Sequence, residues 1–148
     1  MFTASDVAKL REETGAGMMD CKKALDAVNG DYQKAIEYLQ KQGIAKAGKK
    51  GDRETGAAYL ESYIHAGRVG VLLEIRAETD FVTRSEVFRE LAKNLALHIA
   101  AAGPESVEDL LKQNYIKDES LTIDAVIKAE IAKLGENIRV SRFARYAV

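Results

Sequence analysis

The chain has 148 residues, with 22 Lys and Arg against 23 Asp and Glu, a formal net charge of −1, and 47% hydrophobic residues. That length holds one ordinary domain or two small ones, the composition is that of a folded globular protein, and the near-neutral balance argues against a general nucleic-acid coating protein. One cysteine and two histidines supply neither an internal disulfide nor a metal cluster, and the absence of a signal-peptide pattern or a ~20-residue apolar run leads us to expect a cytoplasmic protein without membrane contact.

Thr3 followed by Asp6 is a helix-start pattern, and Val7 and Leu10 give that helix its first apolar side before Gly15 stops it. A second run sets Cys21, Ala24, Leu25 and Val28 at the i, i+3, i+4, i+7 spacing of one helical face. Asn29-Gly30 ends it, because both residues tolerate a left-handed backbone. Asp31 caps a third run with Tyr32, Ala35, Ile36 and Leu39 inward, which Gly43 is expected to close. Three amphipathic helices over residues 1–43 make a miniature bundle near the lower size limit for folding alone, so support from a partner is expected. Cys21 falls on the core face and reads as a buried structural thiol.

Lys41, Lys46, Lys49, Lys50 and Arg53 face only Asp52 among Gly43, Gly48 and Gly51, which predicts a basic linker over residues 44–55. Beyond it, residues 59–64 read as a strand and Ala66-Gly67-Arg68 as a hairpin turn. Val69, Val71, Leu73, Ile75 and Ala77 are the inward positions of a second strand. Thr83 with Glu86 matches a capping box, from which Val87, Phe88, Leu91, Leu95 and Ile99 carry a helix to Gly103-Pro104. A short helix is predicted over residues 106–112. A further one starts near Thr122, buries Ile123, Val126, Ile127, Ile131 and Leu134, and ends at Gly135. Ile138, Val140, Ala144, Tyr146 and Val148 alternate along a last strand whose inner face Arg142 interrupts. This order predicts an α+β core over residues 56–148, an antiparallel three-stranded sheet with helices on one face.

The search for chemistry returns mostly negatives. Gly43-Ile44-Ala45-Lys46-Ala47-Gly48-Lys49-Lys50 approaches a phosphate-binding loop, but Lys50 stands where Ser or Thr must hold magnesium, and the segment follows a helix instead of a strand. Gly15-Ala16-Gly17 lacks the third glycine of a dinucleotide fingerprint. His98 lies in the row Leu91, Leu95, His98, Ala102 and reads as a histidine at the core margin. Glu12-Glu13 and Glu108-Asp109 are neighbours in sequence and read as solvated. We therefore expect no enzyme, no metal and no cofactor.

Two segments stand apart. Glu78-Thr79-Asp80-Phe81-Val82-Thr83 forms the corner between the second strand and the long helix. On residue types alone, Asp80 caps locally and Phe81 folds back into the core. The rival reading is an acidic-aromatic tip, whose exposed ring forgoes roughly 2 kcal/mol of burial that a partner pocket would return. Gly17-Met18-Met19-Asp20 puts two flexible thioethers where a helix begins, a pattern shared by core filler and adaptable binding surfaces.

Leu10-Arg11-Glu12-Glu13-Thr14-Gly15-Ala16-Gly17-Met18-Met19-Asp20-Cys21-Lys22-Lys23-Ala24-Leu25 closely resembles the N-terminal signature of the elongation factor Ts family. Glu74-Ile75-Arg76-Ala77-Glu78-Thr79-Asp80-Phe81-Val82 resembles its second signature, and Ala96-Leu97-His98-Ile99-Ala100-Ala101 and Ile131-Ala132-Lys133-Leu134-Gly135-Glu136-Asn137-Ile138 resemble further segments, in order along the chain. The resemblance implies a guanine-nucleotide exchange factor for elongation factor Tu, the GTPase that delivers aminoacyl-tRNA, bound in its GDP-loaded and nucleotide-free forms. It implies a ubiquitin-associated-like fold for residues 1–43, docked on the nucleotide-binding domain of Tu. By motif position, Arg11, Met18, Met19 and Lys22 belong to that contact, Lys50 extends it, and His98 faces the same partner. Thr79, Asp80, Phe81 and Val82 resemble the element that intrudes beside the magnesium site of Tu.

The chain departs from longer members in the short stretch from Pro104 to Tyr115, where many relatives insert a helical hairpin, and in carrying one copy of the core where some have two. A homodimer is expected to restore that pairing, with Tyr59, Tyr63, Phe143 and Tyr146 at the sheet interface. Two rivals come from other classes. One is a nucleic-acid-binding adaptor using the basic linker with Arg139, Arg142 and Arg145, disfavoured by the net charge and the lack of interleaved aromatics, so that no direct nucleic-acid contact is expected. The other is a peptide-binding module confined to residues 1–43.

Overall fold

Thr3 opens the first helix by a reciprocal cap: its hydroxyl accepts from the Asp6 N–H at 3.3 Å, and Asp6 Oδ2 accepts from the Thr3 N–H at 2.8 Å. The computed structural model describes residues 1–148, the side chain of Ile44 excepted. Helix α1 (Ala4–Thr14) stops at Gly15, whose φ of 70° is left-handed, and α2 (Met18–Ala27) and α3 (Tyr32–Lys49) follow. Val7, Leu10, Cys21, Ala24, Leu25, Ala35 and Leu39 form a small core of their own.

The second unit is built on an antiparallel sheet in the order β1 (Ala57–His65), β2 (Val69–Ala77), β5 (Ile138–Ala147). Ala66 and Gly67, both at positive φ, turn the β1–β2 hairpin, and Arg68 N–H closes it on His65 C=O at 2.9 Å. After β2 come the one-turn helix α4 (Asp80–Thr83), the long α5 (Glu86–Ala102) and α6 (Val107–Lys112). A hairpin of β3 (Asn114–Tyr115) and β4 (Asp118–Thr122) leads into α7 (Ile123–Leu134). Phe88, Leu91, Leu95 and Ile99 of α5 pack with Val71, Leu73 and Ile75 of β2 and Ile127 and Ile131 of α7 in one continuous core. The α+β arrangement, with one three-stranded antiparallel sheet, is as the sequence indicates.

Several expectations change. Helix α3 does not close at Gly43; it runs to Lys49, so much of the linker expected over residues 44–55 is helical. The extension packs against α7, Ala47 joins the larger core, and a Cβ on Gly43 would stand 3.2 Å from Ala132 Cβ. An interior glycine costs a helix about 1 kcal/mol relative to alanine; here it permits close helix approach, and the packing gained offsets the cost. The cap of α5 is Ser85, whose Oγ accepts from Phe88 N–H at 3.3 Å, whereas Thr83 belongs to α4 and donates its hydroxyl to Asp80 C=O at 3.1 Å. In β5 the pairing slips between Glu74↔Arg142 and Ile75↔Val140, leaving Ser141 as an extra residue. That bulge reverses the alternation, so Ile138, Val140 and then Phe143 face the core, while Arg142, Ala144 and Tyr146 face out. The β3–β4 hairpin was not foreseen, because so short a pairing leaves no period to read.

Candidate functional site

The corner after β2 is shaped from both of its ends. Val82 and Thr83 are buried at the foot of α4, which points the two residues before and beside them outward. Phe81 is 85% exposed, so the expectation of a ring folded into the core is overturned. Thr79, with no side-chain capping bond, is the N-cap of α4, so Asp80 does not cap it; the Asp80 carboxylate has no hydrogen bond or ion pair among the described residues. Thr79 instead donates its N–H to Glu136 Oε1 at 2.9 Å and its hydroxyl to Glu136 Oε2 at 2.7 Å. The result is a braced protrusion that presents an acid and an aromatic ring to solvent.

A second exposed region lies on the helical unit. Met18 is 49% and Met19 63% exposed at the start of α2, and Arg11 and Lys22 are exposed on α1 and α2. Cys21, between them in sequence, points the other way and is fully buried, and desolvation pushes its thiol above the ordinary range. The thioethers are therefore surface and not core filler. Lys50 lies at the C-cap of α3, where its Nζ donates to Gly135 C=O at 3.2 Å.

His98 lies in the interior, not at the surface where the resemblance sets it. It is fully buried on α5, its Nδ1 accepts from Ile116 N–H at 3.2 Å, and its Nε2 meets Gln113 Oε1 at 2.9 Å. Those partners fix the neutral Nε2–H tautomer. Burial lowers its pKa below the ordinary value, with the Gln113 bond acting the other way. Its place is to hold the β3–β4 hairpin on α5.

Of the arginines considered for nucleic acid, Arg142 pairs with Glu74 at 3.3 Å and Arg145 donates to Ala100 C=O at 3.0 Å. Glu74 is held below the ordinary carboxylate range by the Ser141 hydroxyl and then by Arg76. The would-be phosphate loop is the last part of α3. Among the described residues no group of three or more His, Cys, Asp or Glu could hold a metal, and no helix is long and apolar enough to cross a membrane. Sequence reasoning passed over Glu136 and Asn137; the segment Gly135-Glu136-Asn137-Ile138 carried a resemblance but no assigned role.

Comparison with known proteins gives this geometry its context. A family model described as Elongation factor TS matches residues 78–148, which include the protrusion. The chain is 52% identical to Elongation factor Ts of Nostoc sp. over 99% of its own length, and there it spans only 47% of the relative. It is 42% identical to Elongation factor Ts of Moorella thermoacetica across all of this chain and 96% of that one, and 40% identical to that of Thermosipho melanesiensis across 99% of the relative. The alignments to the latter two run over 194 residues, against 148 here, so those relatives carry additional sequence. With such identity over nearly the full length of two relatives, the chain belongs to the elongation factor Ts family of translation elongation factors.

Proposed function

We propose that this chain is a guanine-nucleotide exchange factor for elongation factor Tu. The observation that supports it best is the braced, exposed Asp80-Phe81 tip within a member of this family. The helical unit, of the ubiquitin-associated type, docks on the nucleotide-binding domain of Tu through Arg11, Met18, Met19 and Lys22, with Lys50 beside it. The Thr79-Asp80-Phe81-Val82 tip then enters beside the magnesium site. Phe81 wedges between elements of Tu, the magnesium ligands shift, and the phosphates of GDP lose charge compensation. GDP leaves, GTP enters, and its binding expels the chain. The chain itself breaks no bond; the work is differential binding.

Two ligands of one protein must affect each other equally, so if the chain weakens GDP on Tu by some factor, GDP weakens the chain by that same factor. Calorimetric titration of the chain into GDP-bound and nucleotide-free Tu tests this. Tighter binding to the nucleotide-free form, by the factor that the chain takes from GDP affinity, is expected. Equal affinity for both forms would remove the exchange reading.

The chain also works as a homodimer in this reading, through a revised surface. Tyr59, Tyr63 and Phe143 pack on the inner face, Tyr59 edge-on to Phe88 with centroids 6.1 Å apart, so only Tyr146 of the four expected aromatics faces out. The outer face carries Leu60, Ile64 and Leu72 beside Tyr146, each at least 50% exposed. Exposed apolar side chains on one sheet face, with the Glu74–Arg142 pair among them, favour a partner, and a two-fold contact between copies is the commonest closed solution.

A further inference from the structure

Three segments distant in sequence meet beside the tip: the connector after α3, the corner after β2, and the turn between α7 and β5. Asn137, buried at 5% exposure, spends both side-chain donors on the connector, reaching Gly51 C=O at 3.3 Å and Arg53 C=O at 2.8 Å. Its backbone N–H donates to Glu78 Oε1 at 2.8 Å, and Arg53 lies 3.6 Å from the same oxygen. One residue earlier, both oxygens of Glu136 accept from Thr79. One residue before that, Gly135 C=O accepts from Lys50.

The donor and acceptor types are matched to their places. Only a side chain with two hydrogens on one nitrogen answers two carbonyls of the connector, and a carboxylate there would oppose both. Each Glu136 oxygen takes one donor of Thr79, and a glutamine held in the same pose would set its own NH2 donors against one of them. The connector is the exit of α3, which carries the helical unit, and Thr79 is the root of the tip.

We propose that Glu136 and Asn137 are positioning residues, which fix the tip and the helical unit to one turn so that both meet the GTPase in a set relative geometry. The proposal rests on the exchange reading above. Glu136 orients Phe81, and Asn137 orients the docking unit. Each reduces the ordering that binding would otherwise require.

The test is stimulated release of fluorescent GDP from Tu, followed against chain concentration, for wild type, Glu136→Gln, Asn137→Asp and Phe81→Ala. Glu136→Gln is expected to lower the saturating rate by about tenfold, the equivalent of ~1.4 kcal/mol, with half-saturation within about twofold of wild type. Asn137→Asp is expected to raise the half-saturating concentration by a similar factor. Amide hydrogen exchange at Thr79 in Glu136→Gln and at Asn137 in Asn137→Asp should quicken, while that of Leu95 and Ile99 stays protected. Wild-type curves for both variants, with Phe81→Ala impaired, would overturn the positioning roles and leave the exchange reading intact. A wild-type curve for Phe81→Ala would instead overturn the reading beneath them. Lost activity with Thr79 and Asn137 amides as protected as in wild type, or with Leu95 and Ile99 unprotected, also counts against the proposal.

Discussion

Replacing Phe81 by alanine separates a surface built for a partner from one built for the fold. A phenylalanine offers at least ~150 Å² to a pocket, and 85% exposure leaves most of it free. At ~25 cal/mol per Å², burying that remainder is worth about 3 kcal/mol. Immobilising the side chain returns about 1 kcal/mol, which leaves about 2 kcal/mol, or roughly a 30-fold loss in stimulated GDP release at limiting chain concentration. The fold loses no buried contact, so the melting temperature should stay within about 2 °C of wild type. Val82→Ala is the contrast: the neighbouring side chain is 4% exposed, and its truncation should cost about 1–3 kcal/mol of stability. The assay is fluorescent GDP release from Tu paired with calorimetric melting of each variant. A Phe81→Ala chain that exchanges like wild type, or that melts like Val82→Ala, would rule out Phe81 as a contact kept free for a partner.

Met19→Glu, at a residue 63% exposed on the helical unit, should raise the half-saturating concentration for Tu about tenfold without moving the melting temperature; unchanged affinity would place docking elsewhere. Burial pushes the Glu130 carboxyl above its ordinary 4.5, its Oε2 has no hydrogen-bond partner, and Lys133 at 4.0 Å only partly opposes the shift. The folded state thus holds that proton longer than the unfolded one, and the stability it lends at low pH is lost as pH rises through the raised value. Glu130→Gln should therefore raise the melting temperature near pH 7 and change it little near pH 4, and a loss near pH 7 would contradict this. For His98 the sign is opposite: its pKa lies below the ordinary 6.5, so stability is present above that value and declines as pH falls, a slope that His98→Gln should flatten in melts between about pH 7 and pH 5. Leu72→Glu, on the outer sheet face, should convert a dimer of about twice 16.3 kDa to monomer in light scattering; a wild-type chain already monomeric at micromolar concentration would exclude the dimer.

Much of the fold was legible because the governing signals are local. Thr3 and Asp31 cap helices as expected, the helices expected at Ser106 and near Thr122 begin there with those residues as caps, and Gly15, Gly103 and Gly135 end helices with left-handed φ. The errors fall where tertiary contact reverses a local rule. Gly43 looks like a helix stop, and only the presence of Ala132 at 3.2 Å from its missing Cβ explains why the helix continues. Ser141 looks like any strand residue, yet one unpaired position turns Arg142 out and Phe143 in. His98 kept the core reading its helical row suggested; the residues that bury it come from a hairpin too short to foresee. The tip was legible as a segment, not as a conformation, since its outward ring depends on Val82 and Thr83 inside and on Glu136, 57 residues away in sequence. Glu136 and Asn137 left no trace in composition or period, because their bonds join turns that only the folded chain brings together.

On the exchange reading, this chain speeds nucleotide release from Tu. Tu loaded with fluorescent GDP should be mixed with excess unlabelled GDP, with and without a small fraction of one equivalent of the purified chain. As an exchange factor each chain serves many Tu molecules, and the release rate should rise in proportion to the amount of chain added. A rate independent of added chain, under conditions where the chain is folded and magnesium is present, would contradict it.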